Sequence, residues 1–172
     1  MLDTYETAIE TYATGNKNKL SAEIVTLHIM KKNNLINPET DAVALLHSDT
    51  LDSKLAAELN RDLLLKKIGF SSVKLYRLEK INGKDGNTFS QMVNSSKISG
   101  LLDRISEDFD DKDQAMFCFS GGYKGLIPII TAYAREYDMN MYCMFERSNS
   151  LIQYKFGLDG SPETAAFGDM DA

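Results

Sequence analysis

The chain of 172 residues is short of positive charge. Nineteen lysines and arginines face twenty-five aspartates and glutamates, which leaves a net charge of −6. A face that grips duplex DNA or RNA through its phosphates needs clustered cations. That balance excludes broad electrostatic binding to duplex nucleic acid. It leaves room for a small anionic ligand held by backbone N–H groups and one or two lysines. Cysteine is scarce as well. Cys118 and Cys143 show no metal-ligand spacing and are too few for a disulfide framework, which fits a reducing cytosol. Both fall in predicted interior strands and read as buried apolar residues. No segment approaches the roughly 18 consecutive apolar residues of a membrane span. The opening, Met1-Leu-Asp-Thr-Tyr-Glu6, is polar and acidic, not a signal peptide. The expectation is a soluble, cytoplasmic chain.

Several chemical signatures are also missing. There is no Walker pattern, no GxGxxG and no GxSxG nucleophile elbow. The two histidines, His28 and His47, precede every arginine, so no Arg–spacer–His ribonuclease motif exists. The acidic run Asp108 to Asp113 lacks the ligand spacing of a calcium loop and reads as a solvated turn. Neither a metal nor a cofactor is expected.

The most informative stretch that is present is Ala115-Met-Phe-Cys-Phe-Ser-Gly-Gly-Tyr-Lys124, followed by Gly125-Leu-Ile-Pro-Ile-Ile-Thr131. Its first half is continuously apolar, as a strand covered on both faces must be. Gly121 and Gly122 allow positive φ and close backbone approach by a ligand. The helix that follows aims free N–H groups back at the turn, and Lys124 adds a mobile cation there. This strand–turn–helix is a candidate phosphate site at the carboxyl end of a parallel sheet. The competing reading is a tight turn beside a surface lysine.

The remaining elements alternate. Residues 1–17 read as a short helix ending at Gly15-Asn16, and 19–33 as an amphipathic helix ended by Asn33-Asn34. Ala42–His47 is a strand, and a helix follows from Leu51 to about Ile68, stopped by Gly69. Val73–Leu78 alternates, as a strand nearer an edge does. Residues 82–88 have loop composition, and 89–107 hold one or two helices. Strand 115–119, helix 123–137 and strand 141–145 make another βαβ unit, with 151–155 as a hairpin partner of 141–145. The tail from Gly157 reads as frayed. The pattern predicts an α/β fold with a mainly parallel sheet flanked by helices and a C-terminal hairpin. Residues 1–156 form one ligand-binding domain in this reading, and 157–172 a flexible tail.

A second loop, His47-Ser-Asp-Thr50, follows the first clear strand and also precedes a helix. Ser48, Asp49 and Thr50 either cap that helix or join the ligand site. Tyr123 is able to stack on a base or simply to pack. His47 is a candidate base by its ordinary pKa but has no paired nucleophile, so a structural role is favoured. Glu146-Arg147-Ser148, just past a strand, reads ligand, pairs with a second subunit, or makes a local salt bridge.

These pieces together resemble a known family. Leu20-Ser-Ala-Glu-Ile24, Ala44-Leu-Leu-His-Ser-Asp-Thr50, Ala56-Ala-Glu58, Phe119-Ser-Gly-Gly-Tyr-Lys124 and Met144-Phe-Glu146 with Leu151-Ile152 are similar, in order and spacing, to the CRISPR-associated Rossmann-fold (CARF) domain. The resemblance spans about residues 20–156. It implies a Rossmann-like fold and a sensor of cyclic oligoadenylate, most closely cyclic tetra-adenylate, in type III CRISPR antiviral defence. It implies a homodimer or higher assembly with the ring across the two-fold axis. The contacts it implies come from His47, Ser48, Asp49, Thr50, Ser120, Gly121, Gly122, Tyr123, Lys124 and Glu146, with no catalytic residue. Two functions stay open: a non-enzymatic receptor that controls an effector, and a metal-independent ring nuclease that degrades the same messenger. Family members usually begin with a strand and a polar loop that enters the site, and residues 1–19 show neither. Removal of an N-terminal membrane segment would make this chain the cytosolic part of a membrane-anchored effector.

Overall fold

In the computed structural model, the residues described are 20–79, 90–91, 97–109, 114–121, 124–145, 150–157 and 159–167. The predicted helix over 1–17 and the loop over 82–88 lie outside them.

Helix α1, Ala22–Lys32, begins where Ser21 accepts a hydrogen bond from the Ile24 N–H. Glu23 stands in its first turn and Lys31 and Lys32 in its last, each matching the helix dipole. Asn34, at φ 55°, turns the chain away. Strand β1, Ala42–Ser48, follows. Helix α2, Leu51–Leu63, starts at the Thr50 cap and widens into a π turn, Leu64–Ile68. Gly69 closes it at φ 97°, a left-handed position where other residues are strained. Strand β2, Ser72–Leu78, lies parallel to β1, with Val43 opposite Val73 and His47 opposite Arg77.

The second half contributes helix α3, Lys97–Glu107, strand β3, Met116–Cys118, and helix α4, Ile127–Glu136. Strand β4, Asn140–Met144, runs parallel to β3, and β5, Leu151–Phe156, returns antiparallel to β4. The hairpin predicted for 151–155 is present. The tail differs from the frayed expectation. Pro162–Phe167 forms strand β6, paired along the whole of β5. Its turn is tight: the Gly157 N–H donates to Ser161 O at 2.8 Å, and Gly160 sits at φ 76°. Asp159-Gly160 is a hairpin signal, and Pro162 is tolerated because it opens an edge strand. The β6 residues are mostly exposed, which is why their composition resembles a loop.

The protein is a mixed α/β, Rossmann-like fold of a parallel pair, β1–β2, and a mixed sheet ordered β3-β4-β5-β6. No ladder joins β1 to β3 among the described residues. Side chains join the two sheets instead. On one face, Ile24, Leu27 and Met30 of α1 pack with Leu63, Leu64 and Ile68, and against Val43, Val73, Met116, Tyr142 and Leu151. On the other, Ile98, Leu101 and Leu102 of α3 and Tyr133 and Ala134 of α4 pack with Leu46, Leu78, Phe117 and Met141. Helices thus cover both faces of the strand layer.

Ile24 is fully buried in the cluster that touches both sheets. Ile24→Ala is expected to cost about 2–5 kcal/mol, the range for an aliphatic truncation in a rigid core. Chemical denaturation checks this; a loss under about 1 kcal/mol would mean that α1 does not hold the sheets together.

Candidate functional site

Two loops leave the carboxyl ends of β1 and β3. At β1, the polar side chains are largely used by the fold. Thr50 accepts from the Ser53 N–H at 3.3 Å and so caps α2. Ser53 in turn accepts from the Ser48 N–H at 3.0 Å, and the Ser48 and Thr50 hydroxyls lie 3.0 Å apart. Together these bonds fix the start of α2: Thr50 caps it, and Ser53 holds the chain two residues before the cap. The expectation of capping is met; Ser53 was not singled out in the sequence, although its place three residues after the cap is the signal. Asp49 and Thr50 are exposed. His47 is buried, and its Nδ1 lies 2.7 Å from Ser48 O. A carbonyl only accepts, so this contact places a proton on Nδ1.

At β3 the chain continues through Ser120 and Gly121; Gly122 and Tyr123 lie outside the described residues, as does Glu146. Ser120 is a hub. Its Oγ accepts from the Met144 N–H at 2.8 Å and lies 2.6 Å from Thr26 Oγ1, which is itself 2.7 Å from Ala22 O. Ser120 Oγ thus accepts from both the Met144 N–H and the Thr26 hydroxyl, whose one proton is shared with Ala22 O. Thr26 is fully buried, so these bonds are shielded from water. Ser120 therefore ties α1 to the ends of β3 and β4.

Gly121 is glycine for a reason other than dihedral freedom. Among the described residues the glycines at positive φ are Gly69 and Gly160. A Cβ on Gly121 would collide with the Glu23 carboxylate, falling 2.8 Å from its Cδ. The space on the Cβ side of Gly121 is occupied by a side chain of this chain, the Glu23 carboxylate. Glu23 and Thr26 carried no functional signal in the sequence beyond a helix opening.

Lys124 is exposed and opens a 3₁₀ turn, Lys124–Leu126, where the sequence predicts a helix from 123. Pro128 explains the later α-helical start: it stands in the first turn of α4, where its missing N–H does no harm. No side chain caps α4. The helix start thus combines uncapped backbone donors with a nearby exposed cation, which is the chemistry of an anion site.

A concavity among the described residues lies elsewhere, beside the carboxyl end of β2, between Arg77, Leu78, Lys97, Leu101 and Arg104. It is open, and Glu79 pairs with Arg77 at 2.8 Å. We take the β3–α4 junction, where an exposed lysine stands beside a helix start with no side-chain cap, as the candidate site rather than this exposed ionic groove.

Burial disfavours the thiolate at both cysteines. Cys118 counts as an exposed residue, yet its sulfur turns to Met30 Sδ, 3.4 Å away on a fully buried side chain. The sulfur's own surroundings govern ionisation, and desolvation pushes this thiol up to about 12. Burial also raises Cys143. Among the described residues no cluster of His, Cys, Asp or Glu is able to hold a metal ion, and no helix is long and apolar enough to cross a membrane.

Two outcomes follow for the loop. Ser120→Ala removes the acceptor of a shielded N–H and is expected to destabilise the fold by about 1–3 kcal/mol. Gly121→Ala is expected to cost under about 1 kcal/mol, because its obstacle is the far end of a flexible side chain and its φ is ordinary. Paired urea titrations of the two variants check the order. A Gly121→Ala loss larger than that of Ser120→Ala would show that the loop backbone, not the hydroxyl hub, is the strained part.

A search among curated proteins finds no match. A family model described as CRISPR-associated protein (Cas_APE2256) matches residues 18–154, a span that runs from just before α1 into β5 and includes both loops. The chain belongs to this CRISPR-associated protein family.

Proposed function

We propose that the chain is a CARF-type sensor domain that binds cyclic oligoadenylate, with cyclic tetra-adenylate as the favoured ring, and so controls an effector in type III CRISPR defence. The observation that carries this reading is the β3–turn–α4 junction: exposed Lys124 and the uncapped start of α4 on one loop of a chain from a CRISPR-associated family. A ring of phosphodiesters suits that chemistry. Each phosphate is met by backbone N–H groups and by a lysine, in charge-assisted bonds about twice as strong as neutral ones. An acidic chain has no need of a basic face for this, since the donors are local.

In this reading two copies share one ring across a two-fold axis, because an even-numbered ring matches an isologous interface. Ser48, Asp49 and Thr50 at the end of β1, with Gly121, Gly122, Tyr123, Lys124 and Glu146, line each half. The Ser120 hydroxyl acts from behind, holding the loop through Thr26 and the Met144 N–H. His47 packs at the same strand end as Ser48. The reading includes a cytosolic location, either free or as part of a larger or membrane-tethered effector.

The second reading, a metal-independent ring nuclease, needs a 2′-hydroxyl aligned for in-line attack, charge stabilisation and an acid for the leaving oxygen. Lys124 supplies one of these. His47, with Nδ1 already on Ser48 O, is buried. Isolated members of such a set accelerate little, and the receptor reading is therefore preferred.

The test is calorimetry with cyclic tetra-adenylate, followed by chromatography of the mixture in chelator. The expected result is one ring per two chains, recovered intact. Lys124→Ala is expected to weaken binding at least tenfold with an unchanged circular dichroism spectrum. No binding by the wild-type chain would remove the sensor reading, and conversion to linear di-adenylate within minutes would favour the nuclease.

A further inference from the structure

One face of α1 runs along the end of β3 like a zip. Met30 meets Cys118, Thr26 meets Ser120, and Glu23 meets Gly121. Residues 23, 26 and 30 are spaced i, i+3, i+7 and so share one helical face. The two lower contacts are shielded: Met30 and Thr26 are both fully buried. They fix the height and rotation of α1, and Glu23, one turn further on, is thereby held over the glycine turn. Its side chain is half-buried. Among the described residues its carboxylate has no hydrogen-bond or ion-pair partner.

An ionised carboxylate accepts hydrogen bonds and donates none. A phosphate brought against it would meet like charge. A hydroxyl or amino group would meet a ready acceptor, prepositioned by the zip and poorly supplied with partners of its own. We infer that Glu23 is the specificity-determining acceptor of this site: it takes a hydrogen bond from a ribose hydroxyl or an adenine amino group of the ligand, while the loop and Lys124 take its phosphates. The inference rests on the nucleotide reading of the β3–α4 site. It assigns to the acid a role opposite to that of the lysine, namely selection of a ligand bearing donors over one bearing charge alone. A site built around such an acceptor penalises an analogue that lacks the donor, because the acceptor is then left unpaired.

The experiment compares wild type, Glu23→Ala and Glu23→Gln with three rings: cyclic tetra-adenylate, the same ring with 2′-deoxyribose, and cyclic tetra-inosinate, which lacks the exocyclic amine. Wild type with the natural ring is the first arm. Its failure to bind removes the nucleotide reading and the inference with it. With binding established, Glu23→Ala is expected to weaken the natural ring about tenfold or more. The penalty that wild type imposes on one of the two analogues is expected to vanish in this variant, and which one identifies the donor. Glu23→Gln keeps a neutral acceptor and is expected to fall between. Thermal unfolding confirms that the variants are folded. Natural-ring affinity that is unchanged or higher in Glu23→Ala, or an analogue penalty identical in variant and wild type, would overturn the inference while leaving the sensor reading standing.

Discussion

Everything in this fold depends on how two sheets that share no strand ladder are held as one body. Backbone hydrogen bonds cannot do it, since none joins β1 to β3 among the described residues. Apolar packing does, and α1 is its centre. Ile24, Leu27, Ile29 and Met30 are all buried in the cluster that reaches strands of both sheets. Each such side chain contributes about 1.5–3 kcal/mol by removal from water. That sum is large beside the net stability of a domain this size, about 5–15 kcal/mol. Dispersion and burial are non-directional, however. They hold α1 against the layer without fixing where along it the helix rests.

The direction comes from the polar contacts at one end. The Thr26–Ser120–Met144 chain is directional and shielded, so it sets the register that packing leaves loose. The consequence for function is local. The serine of the Ser-Gly-Gly-Tyr-Lys loop has an architectural task, since its hydroxyl bonds Thr26 and the Met144 N–H. What the loop retains for a ligand is its backbone, its exposed lysine and the carboxylate that α1 carries to it. The same division appears at β1, where Thr50 and Ser53 secure the start of α2. At both strand ends the hydroxyls position the loop, and charge is left to do the recognition.

The fold was legible in the sequence where the physics is local. The apolar runs at Ala42–His47 and 115–119, the Asn33-Asn34 and Gly69 stops and the cap at Thr50 each report a short-range constraint, and each stands where it was expected. Pro128 displaced the start of α4, a first-turn preference visible in the sequence but outweighed there by the helical period around it. The strand β6 was missed because its residues face water; only Phe167 reports on the core, while pairing to β5 comes from backbone groups that every sequence has. The neighbour of Gly121 was not legible for a related reason. A glycine signals that space or an unusual φ is required, and says nothing of what fills the space. The filler, Glu23, is 98 residues away in the chain and meets the loop only through the tertiary placement of α1.

That placement bears on how an acidic chain would suit the anionic messenger proposed for it. If affinity came from a broad positive face, any polyphosphate or nucleic acid would compete, and affinity would fall steeply with ionic strength. Here the net charge is −6 and the cation at the loop is one lysine beside a helix start. Long-range attraction is thereby given up, and short-range geometry decides what stays bound. A carboxylate at the same loop sharpens the choice, since it raises the cost of charge that arrives without donors. In the proposed reading, such an arrangement would discriminate by what a ligand presents at two adjacent points, a phosphate for the lysine and a hydrogen-bond donor for the acid.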